Sequence, residues 1–159
     1  MDIYEKLKEM GLELPPAPPR GGLYSSCKAF GSGLYYVSGC GPVVGAPVEG
    51  CLGRDLTVEQ AQVHARDCML NVLAVLQSAI GDLNRVKNVV KITTFVQSAD
   101  DFHDQPAVAN GGTQLLKDLF GEEIGLPSRS AIGVNALPGN IPVETEALFE
   151  VYTGEVQNG

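Results

Sequence analysis

The chain has 159 residues, a length for one domain, and its 44% hydrophobic and 19% charged residues describe a protein that buries a core. With 11 basic against 19 acidic residues the formal net charge is −8, so a phosphate backbone is repelled on average and nucleic acid is disfavoured as a partner. No apolar run approaches the ~20 residues of a membrane span, and the charged start Met1-Asp2-Ile3-Tyr4-Glu5-Lys6 lacks the apolar stretch of a signal peptide; the expectation is a cytoplasmic protein with no membrane partner.

Asp2 to Met10 place Ile3, Leu7 and Met10 on one helical face, and Gly11 is a natural stop. Pro15-Pro16-Ala17-Pro18-Pro19 then fixes an extended linker, because proline locks φ and donates no hydrogen bond. Residues 1–21 are therefore read as an N-terminal helix and Pro-rich linker packed on a domain spanning residues 22–153. Leu23–Phe30 and Leu34–Ser38 are two expected strands around the turn Gly31-Ser32-Gly33, followed by a Gly- and Pro-rich loop from Gly39 to Gly53. Thr57-Val58-Glu59-Gln60 has the form of a capping box. Ala61, Ala65, Cys68, Met69, Val72, Leu76 and Ile80 follow at helical spacing, with Gly81 as the end. His64 falls in this helix and is assigned a surface or packing role.

Asn88–Gln97 is β-branched and almost continuously apolar, as a buried central strand is. A second long helix is expected from Pro106 to Phe120, stopped by Gly121. Ser128–Val134 and Val143–Tyr152 read as a final hairpin joined through Leu137-Pro138-Gly139-Asn140, and residues 154–159 as a polar, frayed tail. The order β-β-α-β-α-β-β after the N-terminal helix predicts an α+β subunit with both long helices on one face of a sheet. The strands hold too many apolar residues for the other face to stand bare, so oligomerisation is expected.

The cysteines Cys27, Cys40, Cys51 and Cys68 show no metal-ligand spacing, and no metal or cofactor is expected. The informative pattern is Ser128-Arg129-Ser130 at the start of an otherwise small and apolar strand. A guanidinium there suits a carboxylate, because its planar fork donates two parallel hydrogen bonds; on the local pattern alone, a snorkelling arginine or a structural ion pair is slightly favoured. In the last strand, alternation puts Val143, Thr145, Ala147, Phe149 and Val151 on one face and Glu144, Glu146, Leu148 and Glu150 on the other. An acidic outer face is the plain reading. Buried by a neighbour, one of these carboxylates would rise in pKa and serve as an acid or base.

Several stretches together resemble the Rid (YjgF-like) family, whose older label is endoribonuclease L-PSP. They are Gly22-Leu23-Tyr24-Ser25, Tyr36-Val37-Ser38-Gly39-Cys40-Gly41-Pro42, Val89-Val90-Lys91-Ile92-Thr93-Thr94-Phe95-Val96, Pro127-Ser128-Arg129-Ser130-Ala131-Ile132-Gly133-Val134 and Leu137-Pro138-Gly139-Asn140-Ile141-Pro142-Val143-Glu144-Thr145-Glu146-Ala147. The resemblance implies a chorismate-mutase-like subunit in a homotrimer around a central barrel, with sites between subunits. It implies cofactor-independent hydrolysis of 2-imino or enamine acids to 2-keto acids and ammonia. By the same resemblance Arg129 clamps the substrate carboxylate and Glu146 is the acid/base. Tyr24, Ser38, Cys40, Asn110 and Ala131 line the cleft. The chain departs from typical deaminating members at Cys40, where they carry glutamine, and in the segments 43–54 and 103–110. These departures leave open a second reading, a non-catalytic trimeric binder of small carboxylates; a ribonuclease fits the acidic chain least.

Overall fold

The computed structural model describes residues 2–154; of the expected tail, only Gly154 falls among them. Helix α1 (Ile3–Glu9) is capped by Asp2, whose carboxylate accepts the Tyr4 N–H at 2.8 Å. It buries Ile3 and Leu7 in the main core, while Met10 ends the helix exposed. Two long-range bonds tie it down: Lys6 Nζ donates to the Leu119 carbonyl at 2.8 Å, and the Leu83 N–H donates to the Tyr4 hydroxyl at 2.9 Å.

Strands β1 (Cys27–Phe30) and β2 (Leu34–Cys40) pair antiparallel around Gly31-Ser32-Gly33, with Gly31 and Gly33 at positive φ as such a turn requires. Leu23 to Ser26, expected in strand, lie outside it: Gly21 and Gly22 turn the chain back so that the Gly21 N–H meets the Tyr24 hydroxyl. Helix α2 (Val58–Ile80) begins at the capping box seen in the sequence. The Gln60 N–H donates to Thr57 Oγ1 at 3.2 Å and the Thr57 N–H to Gln60 Oε1 at 2.9 Å. Thr57→Ala is expected to cost about 1 kcal/mol of stability, read as a drop of roughly 2–4 °C in melting temperature; an unchanged melt would show that water caps this end equally well.

Strand β3 (Val86–Gln97) is followed by helix α3 (Gln105–Gly125), strand β4 (Ser128–Val134) and strand β5 (Val143–Val151). Gly121 breaks α3 with φ 80, where the sequence places a stop, and one further turn follows it. The sheet order is β1-β2-β5-β3-β4. The expected final hairpin is therefore not formed: β5 inserts antiparallel between β2 and β3, and β4 lies parallel on the far edge of β3. A parallel neighbour needs a crossover of a dozen or more residues, and α3 is that crossover.

Both long helices cover one face of this sheet, and that face holds the core. Val143, Thr145, Ala147, Phe149 and Val151 of β5 are all buried, while the alternate residues Glu144, Glu146, Leu148 and Glu150 are half-buried on the uncovered face, as the alternation predicts. A smaller cluster of Leu52, Ala61, Ala65, Cys68, Val96, Val108 and Val143 ties the 41–56 loop to the helix pair. Among the described residues no helix is long and apolar enough to cross a membrane.

Candidate functional site

Arg129 stands opposite Ile92 of β3, which in turn stands opposite Ala147 of β5, so its side chain leaves the sheet on the helix-covered face at the β4 edge. There it meets α3. Its Nη1 donates to Asn110 Oδ1 at 2.8 Å and to Thr113 Oγ1 at 3.2 Å. Among the described residues no carboxylate lies within salt-bridge distance of this guanidinium. The half-buried guanidinium is thus held by two neutral oxygens and by no anion among the described residues. Of the residues expected to line the cleft, Asn110 is bonded to Arg129, and Ala131 lies two residues on along the same edge, on the same face.

The acidic part lies on the other face. Glu146 faces Thr93 across the β3–β5 ladder, one residue from Ala147 and hence on the opposite side of the sheet from Arg129. Tyr36, opposite Leu148, shares that face. Its hydroxyl is held above its ordinary pKa by burial and by the nearby Glu146 carboxylate. Glu144 lies over Gly39, where any Cβ would overlap its carboxylate. Burial, and then the like charge of Glu146, raise the pKa of Glu144. Neither glutamate has an ion-pair partner among the described residues.

The raised pKa has a measurable consequence. The folded chain binds the Glu144 proton more tightly than the unfolded chain does, so stability is fullest below the unfolded carboxylate range and falls as pH rises through the folded pKa. Glu144→Gln, neutral throughout, is expected to melt about 1–3 °C above the original chain at pH 8, a gain kept small because the group is half exposed to solvent. The two melting curves should converge at pH 4. A constant offset at both values would assign the effect to packing instead.

The remaining expected residues are dispersed. Ser38 Oγ donates to the Ser25 carbonyl at 2.6 Å, and Arg20 Nη1 donates to the Tyr24 carbonyl at 3.1 Å, so both positions are tied into the 20–26 segment. Cys40, expected in the cleft, instead lies in the core at 7% exposure, where burial pushes its thiol up to about 12. A thiol in that state is inert as a nucleophile. The reason is register: Cys40 pairs with Thr145, on the helix-covered face. The four cysteines are free, and among the described residues no three His, Cys, Asp or Glu side chains converge in a metal-like group. His64 is half-buried with its pKa lowered by desolvation, in keeping with a packing role. Sequence reading missed Tyr36 and Thr113; a tyrosine on the acidic face and a threonine one helical turn after Asn110 were the available signals.

The sequence profile of the endoribonuclease L-PSP family matches residues 16–151, which takes in the whole sheet and both long helices. The chain belongs to this family. Among Rid/YjgF-like proteins it is 44% identical over 151 residues to Protein TCP17 of Trypanosoma cruzi, covering 94% of each chain. It superposes on the crystal structure of protein Atu1372 of Agrobacterium tumefaciens with a TM-score of 0.87 and 37% identity, over 94% of this chain and 92% of that one. It is also 26% identical over 140 residues to the 2-iminobutanoate/2-iminopropanoate deaminase of Dermatophagoides farinae, covering 88% of this chain and 94% of that protein. The Rid/YjgF-like fold thus spans the described sheet, including the β4 edge with Arg129 and the acidic face of β5.

Proposed function

We propose that the protein hydrolyses 2-imino acids, and the enamines in equilibrium with them, to 2-keto acids and ammonia without a cofactor, at a site shared between neighbouring copies of the chain. The observation that carries this is Arg129, a guanidinium held in place by Asn110 and Thr113 with no carboxylate of its own among the described residues. The similarity to an imine deaminase of the same family supports the reaction class.

Within one chain Arg129 and Glu146 leave the sheet on opposite faces. A single subunit therefore holds two half-sites, one cationic at the β4 edge and one acidic on the open face. A second copy whose edge meets this open face brings them together. The open face also carries Tyr36 at 41% and Ile132 at 43% exposure, apolar area that a neighbour would cover. A homotrimer around a central barrel closes such contacts symmetrically.

In this site Arg129 binds the substrate carboxylate and fixes the imine carbon against a water molecule. Orientation is most of the task, because a protonated imine is already electrophilic. Glu146 takes a proton from the attacking water as the C–O bond forms, giving a carbinolamine. It then returns the proton to the nitrogen; as the C–N bond breaks the carbinolamine hydroxyl gives its proton to Glu146, the C=O double bond forms, ammonia leaves and the keto acid remains. Glu144, with its raised proton affinity, is a second proton store beside it.

The test generates imino acids in place with an amino-acid oxidase and follows ammonia and keto acid. Release faster than the spontaneous rate supports the reading. Saturable binding of the keto acid without acceleration would make the protein a carboxylate-binding member of the family, and a monomer in light scattering would remove the shared site.

A further inference from the structure

The contact between α3 and Arg129 is directional. Thr113 is 8% exposed, and its hydroxyl proton is committed backwards, to the Ala109 carbonyl at 3.3 Å and the Asn110 carbonyl at 3.4 Å. Its lone pairs are thereby left to face Arg129 as an acceptor. Asn110 presents its carbonyl oxygen to the same nitrogen, Nη1. Both bonds fall on Nη1, and among the described residues neither Nε nor Nη2 has a partner. The two acceptors are themselves fixed. Gly111 packs so closely on α2 that a Cβ would stand 2.7 Å from the Gln62 carbonyl carbon, and Gln62 Nε2 donates to the Ala107 carbonyl at 2.8 Å.

We infer that Thr113, together with Asn110, is a positioning residue that occupies the Nη1 end of Arg129 and so presents the Nε–Nη2 edge to the substrate carboxylate. This rests on the carboxylate-clamp reading above and says how the clamp is aimed. A guanidinium free to rotate offers a carboxylate any of its edges at an entropic cost. One anchored at Nη1 offers a single bidentate edge already oriented. Thr113 does not touch substrate; it acts through the arginine.

Thr113→Val keeps the shape and removes the acceptor, and Thr113→Ser keeps the acceptor. Calorimetric binding of 2-oxobutanoate, a non-reacting 2-keto acid, is expected to weaken roughly five- to thirty-fold in the valine variant. The serine variant should return to within about two-fold of the original, both proteins melting as folded chains. With imino substrate the same change should appear in KM more than in kcat, because a loosened clamp weakens ground state and transition state together. Valine and original chains that bind 2-oxobutanoate equally would overturn the positioning role and leave the clamp standing. Equal weakening in serine and valine would overturn it as well, since the hydroxyl would then be irrelevant. Absence of binding in all three proteins would remove the clamp itself, and this inference with it.

Discussion

Replacing Arg129 by alanine is expected to lower kcat/KM for imino-acid hydrolysis by about two to three orders of magnitude, the size that follows from removing one partner of a hydrogen-bonded charge pair. The structure gives the reason. Arg129 is the only side chain at the β4 edge that carries charge toward α3, and no nearby Lys or Arg is bonded to Asn110 or Thr113 among the described residues to replace it. The variant should still fold, because the guanidinium makes two polar contacts and no ion pair within the described chain. Arg129→Lys separates charge from geometry. An ammonium keeps the attraction but cannot donate a parallel pair while also reaching Asn110 and Thr113, so a loss of about ten-fold or more is expected. The oxidase-coupled ammonia assay reads both variants. Alanine and original chains of equal activity would take the carboxylate clamp away from Arg129 and leave its bonds to α3 as structural contacts.

Much of the frame behind that expectation can be read from the sequence, because it is written in local physics. The capping box at Thr57 and Gln60, the stop at Gly81 and the alternation of β5 each depend on residues within one element, and each forms as the pattern requires. The failures are non-local. Ser128–Val134 and Val143–Val151 are adjacent in sequence, separated by a short Pro-Gly-Asn segment, and invite a hairpin. Yet β4 pairs parallel to β3 through α3, and β5 takes the remaining edge of β3. Two antiparallel strands and one βαβ crossover satisfy the same periodicities as three meander strands, so the pattern alone does not choose. Cys40 fails for a related reason. The irregular pairing between Val37 and Cys40 resets which face each residue takes, and a thiol expected at a cleft turns into the core.

The site was legible by residue type and illegible by geometry. Arg129, Asn110 and Glu146 were visible as chemistry-bearing groups. That Asn110 bonds to Arg129 across 19 residues depends on how α3 lies over the β4 edge, and that Arg129 and Glu146 occupy opposite faces depends on the register through Ile92 and Ala147. The second fact changes the functional argument most. Among the described residues Arg129 has no ion-pair partner on one face and Glu144 and Glu146 have none on the other, and the proposed assembly of copies would bring these groups together.

Gly111→Ala is expected to lower stability by about 2–3 kcal/mol, a fall of roughly 5–10 °C in melting temperature, and to weaken 2-oxobutanoate binding along with it. Two effects oppose each other here. Alanine in place of glycine inside a helix gains about 1 kcal/mol through propensity. Against this, the added methyl would overlap the Gln62 carbonyl oxygen and stand 2.7 and 2.8 Å from the Gln62 carbonyl carbon and Cα, all backbone atoms that no rotamer change can move. The helices must separate, opening the cluster of Ala61, Ala65 and Val108 between them, and that loss exceeds the gain. The next residue is an internal control. A Cβ at Gly112 would meet the Ala65 carbonyl oxygen at 3.2 Å, a contact relieved by a few tenths of an ångström, so Gly112→Ala should stay within about 1 kcal/mol of the original chain. If both alanine variants melt like the original chain, α3 is free to ride outward from α2, and Asn110 and Thr113 are then not fixed acceptors. If Gly111→Ala alone is destabilised and binds 2-oxobutanoate weakly, the close approach of the two helices is what holds Arg129 ready for its ligand.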